Sequence, residues 1–188
     1  WLTGSMRLWF NKPVESLADL EKRAVRASPN YTRFLTALGM NPTIIPQSET
    51  YTSLQTGVVE GFVNGTLFGP RKDGWTDSSK YVLDVPFWNQ NCAILMNSSK
   101  WNEISKEDQE AIIAATAEYE KEMASYFEKL NEEEKVELEK IGVSFITFKD
   151  EADTKKFLDT AYEVEWNFIK QETSEEIVEK AKAVAMKK

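Results

Sequence analysis

Residues 47–64 read QSETYTSLQTGVVEGFVN, and this stretch decides the fold that the sequence predicts. Ser48 is a favourable N-cap residue and Gly57 suits the position after a helix, so the pattern predicts a short helix between them. The apolar strand VVEGFV follows, and Gly61 inside it is typical of a close backbone approach or a bulge. Asn64 then falls at the end of a strand, where α/β proteins place ligand contacts. The stretch therefore predicts a binding site rather than a catalytic one.

The composition is that of a packed, acidic domain. Of the 188 residues, 41% are hydrophobic and 12% aromatic, and the net charge is −8. This charge argues against nucleic-acid binding, which needs a basic surface, and it means that an anionic ligand needs local positive charge. The absence of histidine removes the commonest general base and metal ligand, so we expect neither a metal site nor a cofactor. The single cysteine, Cys92, opens the apolar run CAILM and is interpreted as a small buried residue.

Membrane and targeting signals are not visible in the sequence. No run of about 18 apolar residues occurs, so no segment is predicted to be inserted in a membrane. No signal peptide is recognisable, and the first residue is Trp1 rather than methionine, so the N-terminus does not report a compartment.

Strand and helix patterns alternate along the first half of the chain. Strands are predicted at residues 6–10 and 23–27, and a short helix capped by Ser16 lies between them, with Asp19 as capping partner. A helix at 31–38 and an extended piece at 42–46 then lead into the opening stretch. This alternation at βαβ spacing predicts an α/β sheet. Beyond Asn64, residues 65–79 are interpreted as a loop, and residues 81–85 and 91–96 as two strands separated by the segment PFWNQ.

A long helix is predicted from Lys106 to about Lys140, with Ser105 as its N-cap. Apolar residues recur at helical spacing, and about 35 residues at about 1.5 Å each give a length of about 50 Å. A helix of this length either joins two lobes or pairs with another long helix. Its segment NEEEK, residues 131–135, is interpreted as a solvated face. A strand at 143–148 and two helices between 153 and 188, broken near 171–174, complete the prediction.

Three segments carry a resemblance to a known family. Residues 48–61, SETYTSLQTGVVEG, resemble the pattern S-E-V-Y-x-A-L-Q-T-G-V-V-D-G of the solute-binding proteins of tripartite ATP-independent periplasmic (TRAP) transporters. Residues 16–26, SLADLEKRAVR, are similar to the D-L-x-G-x-K-I-R segment of that family, and residues 101–109, WNEISKEDQ, to its W-x-x-L-P-x-x-x-Q helix start. The three motifs follow in the family's order. Within them Glu60 stands where the family has aspartate, which is a mild departure, and Arg23 and Ala24 stand where the family has leucine and lysine.

The resemblance implies a periplasmic-binding-protein-like α/β fold that covers only the second lobe, the long helix that braces both lobes, and the C-terminal helices. We expect residues 1–89 to form the α/β part of the second lobe, 90–140 to form a crossing strand and the brace helix, and 141–188 to complete the second lobe. The family's first lobe has no counterpart before Trp1. The isolated chain is therefore expected to lack half its cleft and to expose apolar surface.

The resemblance also implies ligand-binding residues. Arg26 stands at the position of the family's carboxylate-binding arginine, and its planar guanidinium suits a bidentate pair with a carboxylate, against the alternative of a surface ion pair. Asn64 stands at the position of the family's ligand-contacting asparagine, against the alternative of an Asn-Gly turn. Arg7 is the candidate for a second ligand-binding arginine, one residue short of the family's spacing. The alternative is that Arg7 is a solvated strand residue. Gln47 and Trp88 flank loops that could line the cleft. The alternative is that they lie in the core or at the surface.

These residues lead to one function and two alternatives. The resemblance implies a periplasmic receptor that binds a small organic acid and delivers it to the membrane permease subunits of a TRAP transporter, without catalysis. An α/β enzyme acting on a small organic acid is the first alternative, although the sequence offers no histidine, reactive cysteine or nucleophile elbow. The second is a helical interaction module in which residues 106–140 form a coiled coil, although their apolar residues do not keep a strict heptad.

Overall fold

The computed structural model describes residues 2–185, which form a mixed α/β structure on one six-stranded sheet. The strands are β1 (Leu2–Phe10), β2 (Ala24–Ala27), β3 (Asn41–Ile44), β4 (Gly61–Asn64), β5 (Tyr81–Asn91) and β6 (Ser144–Ile146). The helices are α1 (Thr32–Ala37), α2 (Thr50–Gln55), α3 (Phe68–Lys72), α4 (Ser98–Glu103), α5 (Lys106–Lys140), α6 (Glu151–Glu172) and α7 (Glu175–Ala185). Short 3-10 turns lie at Leu17–Leu20, Pro29–Tyr31, Gln47–Glu49 and Trp75–Asp77. The predicted α/β class, the long helix and the two C-terminal helices are confirmed.

The strand order of the sheet is β3-β2-β4-β1-β5-β6. β2 pairs in parallel with β3 and β4, β6 pairs in parallel with β5, and β1 runs antiparallel to both β4 and β5. The carboxyl ends of β2, β3, β4 and β5 therefore lie at one edge of the sheet, together with the amino end of β1. Beyond this edge β1 and β5 continue as a two-stranded ribbon, in which Leu2 pairs with Asn91 and Met6 with Trp88.

Side-chain alternation along β1 divides the core between the two faces of the sheet. Leu8 and Phe10 point to one face and pack in a cluster that includes Phe157 of α6. Trp9 points to the other face, in a cluster that includes Leu138 of α5. We call these the α6 face and the α5 face. All five side chains are fully buried, so both faces are covered by helices.

The C-terminal third of α5 is fixed to the sheet by charged side chains. Glu134 is 3% exposed and accepts two hydrogen bonds from Arg71 of α3, one of them from Nη2 to Oε2 at 2.9 Å. Lys135 Nζ lies 3.3 Å from Asp84 Oδ2 on β5. The prediction that residues 131–135 form a solvated helix face is therefore wrong, because Glu134 and Lys135 point toward the protein.

The N-terminal two thirds of α5 lie largely in solvent. Its apolar side chains Ile113, Tyr119 and Tyr126 are exposed, and so is Leu95 in the irregular segment that precedes α4. The expectation that this chain exposes apolar surface is confirmed.

The glycines of the opening stretch have the predicted roles. Gly57 follows the C-cap of α2 and has a φ of +74°, a left-handed conformation that favours glycine. Gly61 is the first residue of β4, and a Cβ there would lie 2.2 Å from the carbonyl oxygen of Trp9. The predicted close backbone approach is confirmed. The strand itself is shorter than predicted and does not include Val58 and Val59.

Three predictions of secondary structure are wrong. Residues 65–79 are not a loop, because they contain α3 and a 3-10 turn whose Trp75 is buried in the core of the α5 face. Residues 81–96 do not form two strands, because β5 is continuous from Tyr81 to Asn91 and the chain is irregular from 92 to 97. Pro86 is accommodated where the register with β1 shifts. Ser48 is not an N-cap, because it lies inside a 3-10 turn that begins after Pro46.

The interpretation of Cys92 as a buried residue is also wrong. Its side chain is exposed. The reason is that β5 ends at Asn91, so the apolar run that follows leaves the sheet, and its Ile94, Leu95 and Met96 are exposed.

The buried pair of Arg71 and Glu134 gives a stability prediction. Arg71→Met should lower the free energy of unfolding by about 3 kcal/mol, because it leaves a buried carboxylate without its partner. The estimate is at the low end for buried pairs because the Arg71 side chain is 38% exposed and partly screened by solvent. Urea unfolding followed by circular dichroism measures the difference.

The control for this experiment is Lys129→Met, which removes an exposed pair with Glu133 one turn earlier on α5. It should change the free energy of unfolding by less than about 0.5 kcal/mol. The double variant Arg71→Met/Glu134→Leu should regain most of the loss, since no buried charge remains. Equal effects of Arg71→Met and Lys129→Met would contradict the anchoring role.

Candidate functional site

Three of the predicted site residues lie in a row at the carboxyl edge of the sheet, on the α5 face. Arg26 on β2 is in register with Phe62 on β4, and Asn64 lies two residues further along β4. Asn64 is in turn in register with Arg7 on β1. Paired residues and residues two apart share a face, so Arg26, Asn64 and Arg7 project from neighbouring strands toward the same side.

Arg26 reaches this face because of the alternation of β2. Its neighbours Val25 and Ala27 are buried in the core of the α6 face, so the arginine points to the other side. Its Nε donates a hydrogen bond to the carbonyl oxygen of Ile45 at 3.0 Å, which fixes one edge of the guanidinium. Among residues 2–185 no carboxylate pairs with Arg26. A half-buried arginine in this state has donor groups available for an anion.

Asn64 is the last residue of β4 and closes the turn that follows. Its Nδ2 donates to the carbonyl oxygen of Thr66 at 3.1 Å. The alternative of a turn asparagine therefore holds for the amide nitrogen of Asn64, which bonds the turn after β4. The side-chain carbonyl oxygen accepts no hydrogen bond from the part of the chain that the structure describes, so it is available to a donor on a ligand.

Arg7 is ion-paired in this structure. Its Nε donates to Asp84 Oδ1 at 2.7 Å and its Nη1 donates to the carbonyl oxygen of Ser5 at 3.1 Å. Asp84 also accepts from Lys135 of α5, so three charged side chains connect β1, β5 and α5. Burial by itself raises the pKa of Asp84, but the hydrogen bonds and positive charges of Arg7 and Lys135 outweigh burial and hold the pKa of this carboxyl below its usual value.

Asp84 and Lys135 belong to the surroundings of the candidate site, and sequence reasoning missed both. Asp84 interrupts the apolar strand YVLDV, and a charged residue inside such a strand is a signal that could have identified it. Lys135 carries no comparable signal, because it lies in a helix segment dense in charges. Its role depends on which turn of α5 faces the sheet.

Gln47 and Trp88 have other surroundings in this structure. Gln47 is exposed after β3, and its amide donates to Asp73 Oδ2 at 3.2 Å. Trp88 lies in the ribbon and lines a cavity shared with α6, on the opposite face of the sheet. The arrangement therefore offers two cations and an amide as a candidate anion site on the α5 face, with Trp88 on the opposite face of the sheet.

Within residues 2–185, no helix is both long and apolar enough to cross a membrane. No group of three or more aspartate, glutamate or cysteine side chains in the same range could hold a metal ion.

The chain is similar to known solute-binding proteins. The family described as Bacterial extracellular solute-binding protein, family 7 (DctP) matches residues 1–172. The ectoine-binding periplasmic protein TeaA of Halomonas elongata is 27% identical over 187 residues, which cover 96% of this chain and 54% of that protein. A monocarboxylate 2-oxoacid-binding periplasmic protein of Nostoc sp. is 25% identical over 145 residues, which cover 76% of this chain and 40% of that protein.

A solved structure extends the similarity to the fold. The TRAP periplasmic solute-binding protein of Pseudomonas putida F1 with bound D-glucuronate matches with a TM-score of 0.81 and 24% identity. The match covers 100% of this chain and 60% of that one. The chain thus spans about half the length of the relatives that it resembles.

The charge network around Asp84 gives a pH-dependent prediction. A carboxyl whose pKa is lowered by folding contributes stability that is present above its unfolded pKa of about 3.9 and is lost as the pH falls through the folded value. Asp84→Asn should therefore lower the free energy of unfolding at about pH 7, and the difference from the wild type should shrink as the pH falls below about 4.

Urea unfolding across this pH range measures the difference. The matched control is Asp159→Asn, which removes an exposed pair with Lys155 on α6 and should leave the stability nearly unchanged. A constant difference between Asp84→Asn and the wild type from about pH 7 to below 4 would show that the network does not act through the charge of Asp84.

Proposed function

This chain belongs to the bacterial extracellular solute-binding proteins of family 7, and from that membership we propose that it forms part of a TRAP-type receptor for a small organic acid. In this proposal the receptor works in the periplasm and delivers its ligand to the membrane permease subunits of the transporter. Ligand contacts made in the closed state drive closure, and no covalent chemistry takes place.

The single observation that carries the proposal is Arg26. It is half-buried at the carboxyl edge of the sheet, fixed through Nε, and has no carboxylate partner within residues 2–185. A guanidinium offers two parallel charge-assisted hydrogen bonds to a carboxylate, which a lysine does not. The ligands named for the relatives, a 2-oxoacid, ectoine and D-glucuronate, all contain a carboxylate, which supports the same chemistry here.

We propose complementary ligand contacts for the neighbours of Arg26. We assign the carbonyl oxygen of Asn64 to a hydroxyl group or other donor on the ligand, beside the carboxylate. We assign Arg7 to the far side of the ligand, where its remaining donor group faces the site while Asp84 holds Nε. In this arrangement Asp84 is a positioning residue for Arg7. Gln47 follows β3 at the same edge of the sheet and stays a candidate for the ligand, whereas Trp88 would contribute only after a rearrangement of the ribbon that carries it.

The exposed apolar surface has a place in this proposal. Residues 1–89 and 141–188 supply the second lobe, and residues 90–140 cross to a first lobe that is not part of this chain. The exposed side chains of α5 and of the segment before α4 would pack against that lobe. Closure of the two lobes over Arg26 would exclude water and strengthen the ion pair with the ligand.

The first test is a thermal-shift screen on the longest natural polypeptide that contains this chain. The screen covers 2-oxoacids, uronic acids, dicarboxylates and ectoine, each beside its neutral amide or ester. At least one acid should raise the melting temperature and its neutral analogue should not, because the guanidinium requires a carboxylate partner. If no carboxylate stabilises the protein, the receptor proposal fails. Turnover of any acid in the screen would favour the enzyme alternative.

Arg26→Lys tests the residue that carries the proposal. The substitution keeps the charge but removes the bidentate geometry, so affinity for the acid found in the screen should fall by about 2–5 kcal/mol, which is about thirtyfold or more. Isothermal titration calorimetry measures the loss.

The matched control is Arg23→Lys. Arg23 lies three residues earlier and bonds only backbone oxygens, those of Asp19 and Pro13. Affinity should change less than about twofold in this variant. Unchanged affinity in Arg26→Lys would remove Arg26 from the site.

A further inference from the structure

The turn that follows β4 is fixed by two side-chain hydrogen bonds. Inside the turn, Asn64 Nδ2 donates to the carbonyl oxygen of Thr66 at 3.1 Å. From the long helix α5, the side-chain oxygen of Asn131 accepts a hydrogen bond from the backbone N–H of Leu67 at 3.4 Å. Asn131 stands one helical turn before Lys135, so the part of α5 that contacts the sheet continues as far as this turn. The turn is therefore bonded both to Asn64 and to the long helix.

A third contact with the turn is made by Gly4 of β1. A Cβ at Gly4 would overlap the carbonyl oxygen of Gly65, and it would lie 3.7 Å from Nδ2 of Asn131. A side chain at this position would have to displace the turn or the strand, because a backbone carbonyl cannot move aside as the end of a flexible side chain can. Glycine at position 4 thus allows β1, the turn and α5 to meet closely.

These contacts determine which end of the Asn64 amide a ligand meets. A carbonyl oxygen only accepts hydrogen bonds, so Thr66 binds the NH2 group and leaves the side-chain oxygen of Asn64 on the other side. Rotation of the amide by half a turn would set two oxygens against each other. Asn64 is half-buried, and its side-chain oxygen is not enclosed and accepts no hydrogen bond from residues 2–185. At Asn64 the site therefore offers a hydrogen-bond acceptor and not a donor.

We propose that the site selects acids with a hydroxyl group on the carbon next to the carboxylate over acids with an oxo group there, and that Gly4 and Asn131 are positioning residues for this selection. The inference rests on the proposed function, because it concerns the ligand of the same site. The carboxylate binds Arg26, and the hydroxyl donates to the side-chain oxygen of Asn64. An oxo group has no hydrogen to donate, so it leaves that oxygen unpaired and brings a second acceptor against it.

The first experiment compares matched acids on the longest natural polypeptide that contains this chain. Isothermal titration calorimetry is measured with lactate and pyruvate, 2-hydroxyglutarate and 2-oxoglutarate, and gluconate and 2-oxogluconate, with both enantiomers of the first two hydroxy acids. In at least one pair the hydroxy acid should bind at least about tenfold more tightly than the oxo acid. Equal or tighter binding of the oxo acids overturns this inference and leaves the receptor proposal intact. Absence of binding by the whole panel also overturns it, and the thermal-shift screen then decides separately on the receptor.

Two variants test the roles of the amides. Asn64→Ala should weaken binding of the hydroxy acid by about tenfold and leave binding of the oxo acid within about twofold, because only the hydroxyl loses a partner. Asn131→Ala should weaken binding of the hydroxy acid severalfold with the same selectivity, because the turn loses its bond to α5. A residue that acts on folding alone would weaken both acids equally or neither. An unchanged ratio of the two affinities in Asn131→Ala would therefore contradict the positioning role.

Gly4→Ala tests the contact with Gly65, and Gly142→Ala is its matched control. Gly142 has a φ of +82°, so alanine is strained there, but among residues 2–185 a Cβ would meet no heavy atom within 4 Å beyond its chain neighbours. Gly4→Ala should reduce the preference for the hydroxy acid severalfold, whereas Gly142→Ala should lower stability and keep the preference within about twofold of the wild type. A full preference in Gly4→Ala, or an equal loss in both variants, would overturn the role of Gly4. If Gly4→Ala does not fold, Asn131→Ala decides whether the turn is positioned in this way.

Discussion

The backbone hydrogen bonds of β1 are the constraint on which the rest of the structure depends. β1 lies between β4 and β5 and runs against both, so it joins two groups of parallel strands into one sheet. Its register sets Arg7 opposite Asn64, and its alternation sends Leu8 and Trp9 to different cores. A slip of one residue would exchange the two faces and separate Arg7 from Asn64. The close approach of Gly61 to the Trp9 carbonyl belongs to this pairing, because a side chain there would push β4 away from β1.

Charged side chains extend this constraint to the long helix. Glu134 and Lys135 are consecutive on α5, and they bind Arg71 of α3 and Asp84 of β5. The last turns of the helix are thereby fixed to the sheet, while its first two thirds lie in solvent. Asp84 has a second partner in Arg7, so the candidate site and the attachment of α5 share a carboxylate.

The two arginines at the carboxyl edge differ in how far their positive charge is already paired. Arg7 is held by Asp84, whereas Arg26 is fixed only through a backbone carbonyl. Arg26 is therefore the less compensated of the two cations in the proposed site.

The sequence by itself determined the α/β class, the long helix from Lys106 to Lys140 and the placement of Arg26 and Asn64 near strand ends. These features follow from local periodicity, from capping and from short motifs, which act over a few neighbouring residues. Only the tertiary structure decided that Arg7 is bound to Asp84, that Lys135 points to the sheet and that Cys92 is exposed. Each of these depends on which element covers which face, and that choice is made by contacts between residues far apart in the chain. The same reason explains Trp88, which the sequence offered as a candidate for the cleft with a core role as the alternative, and which lies on the opposite face of the sheet from Arg26.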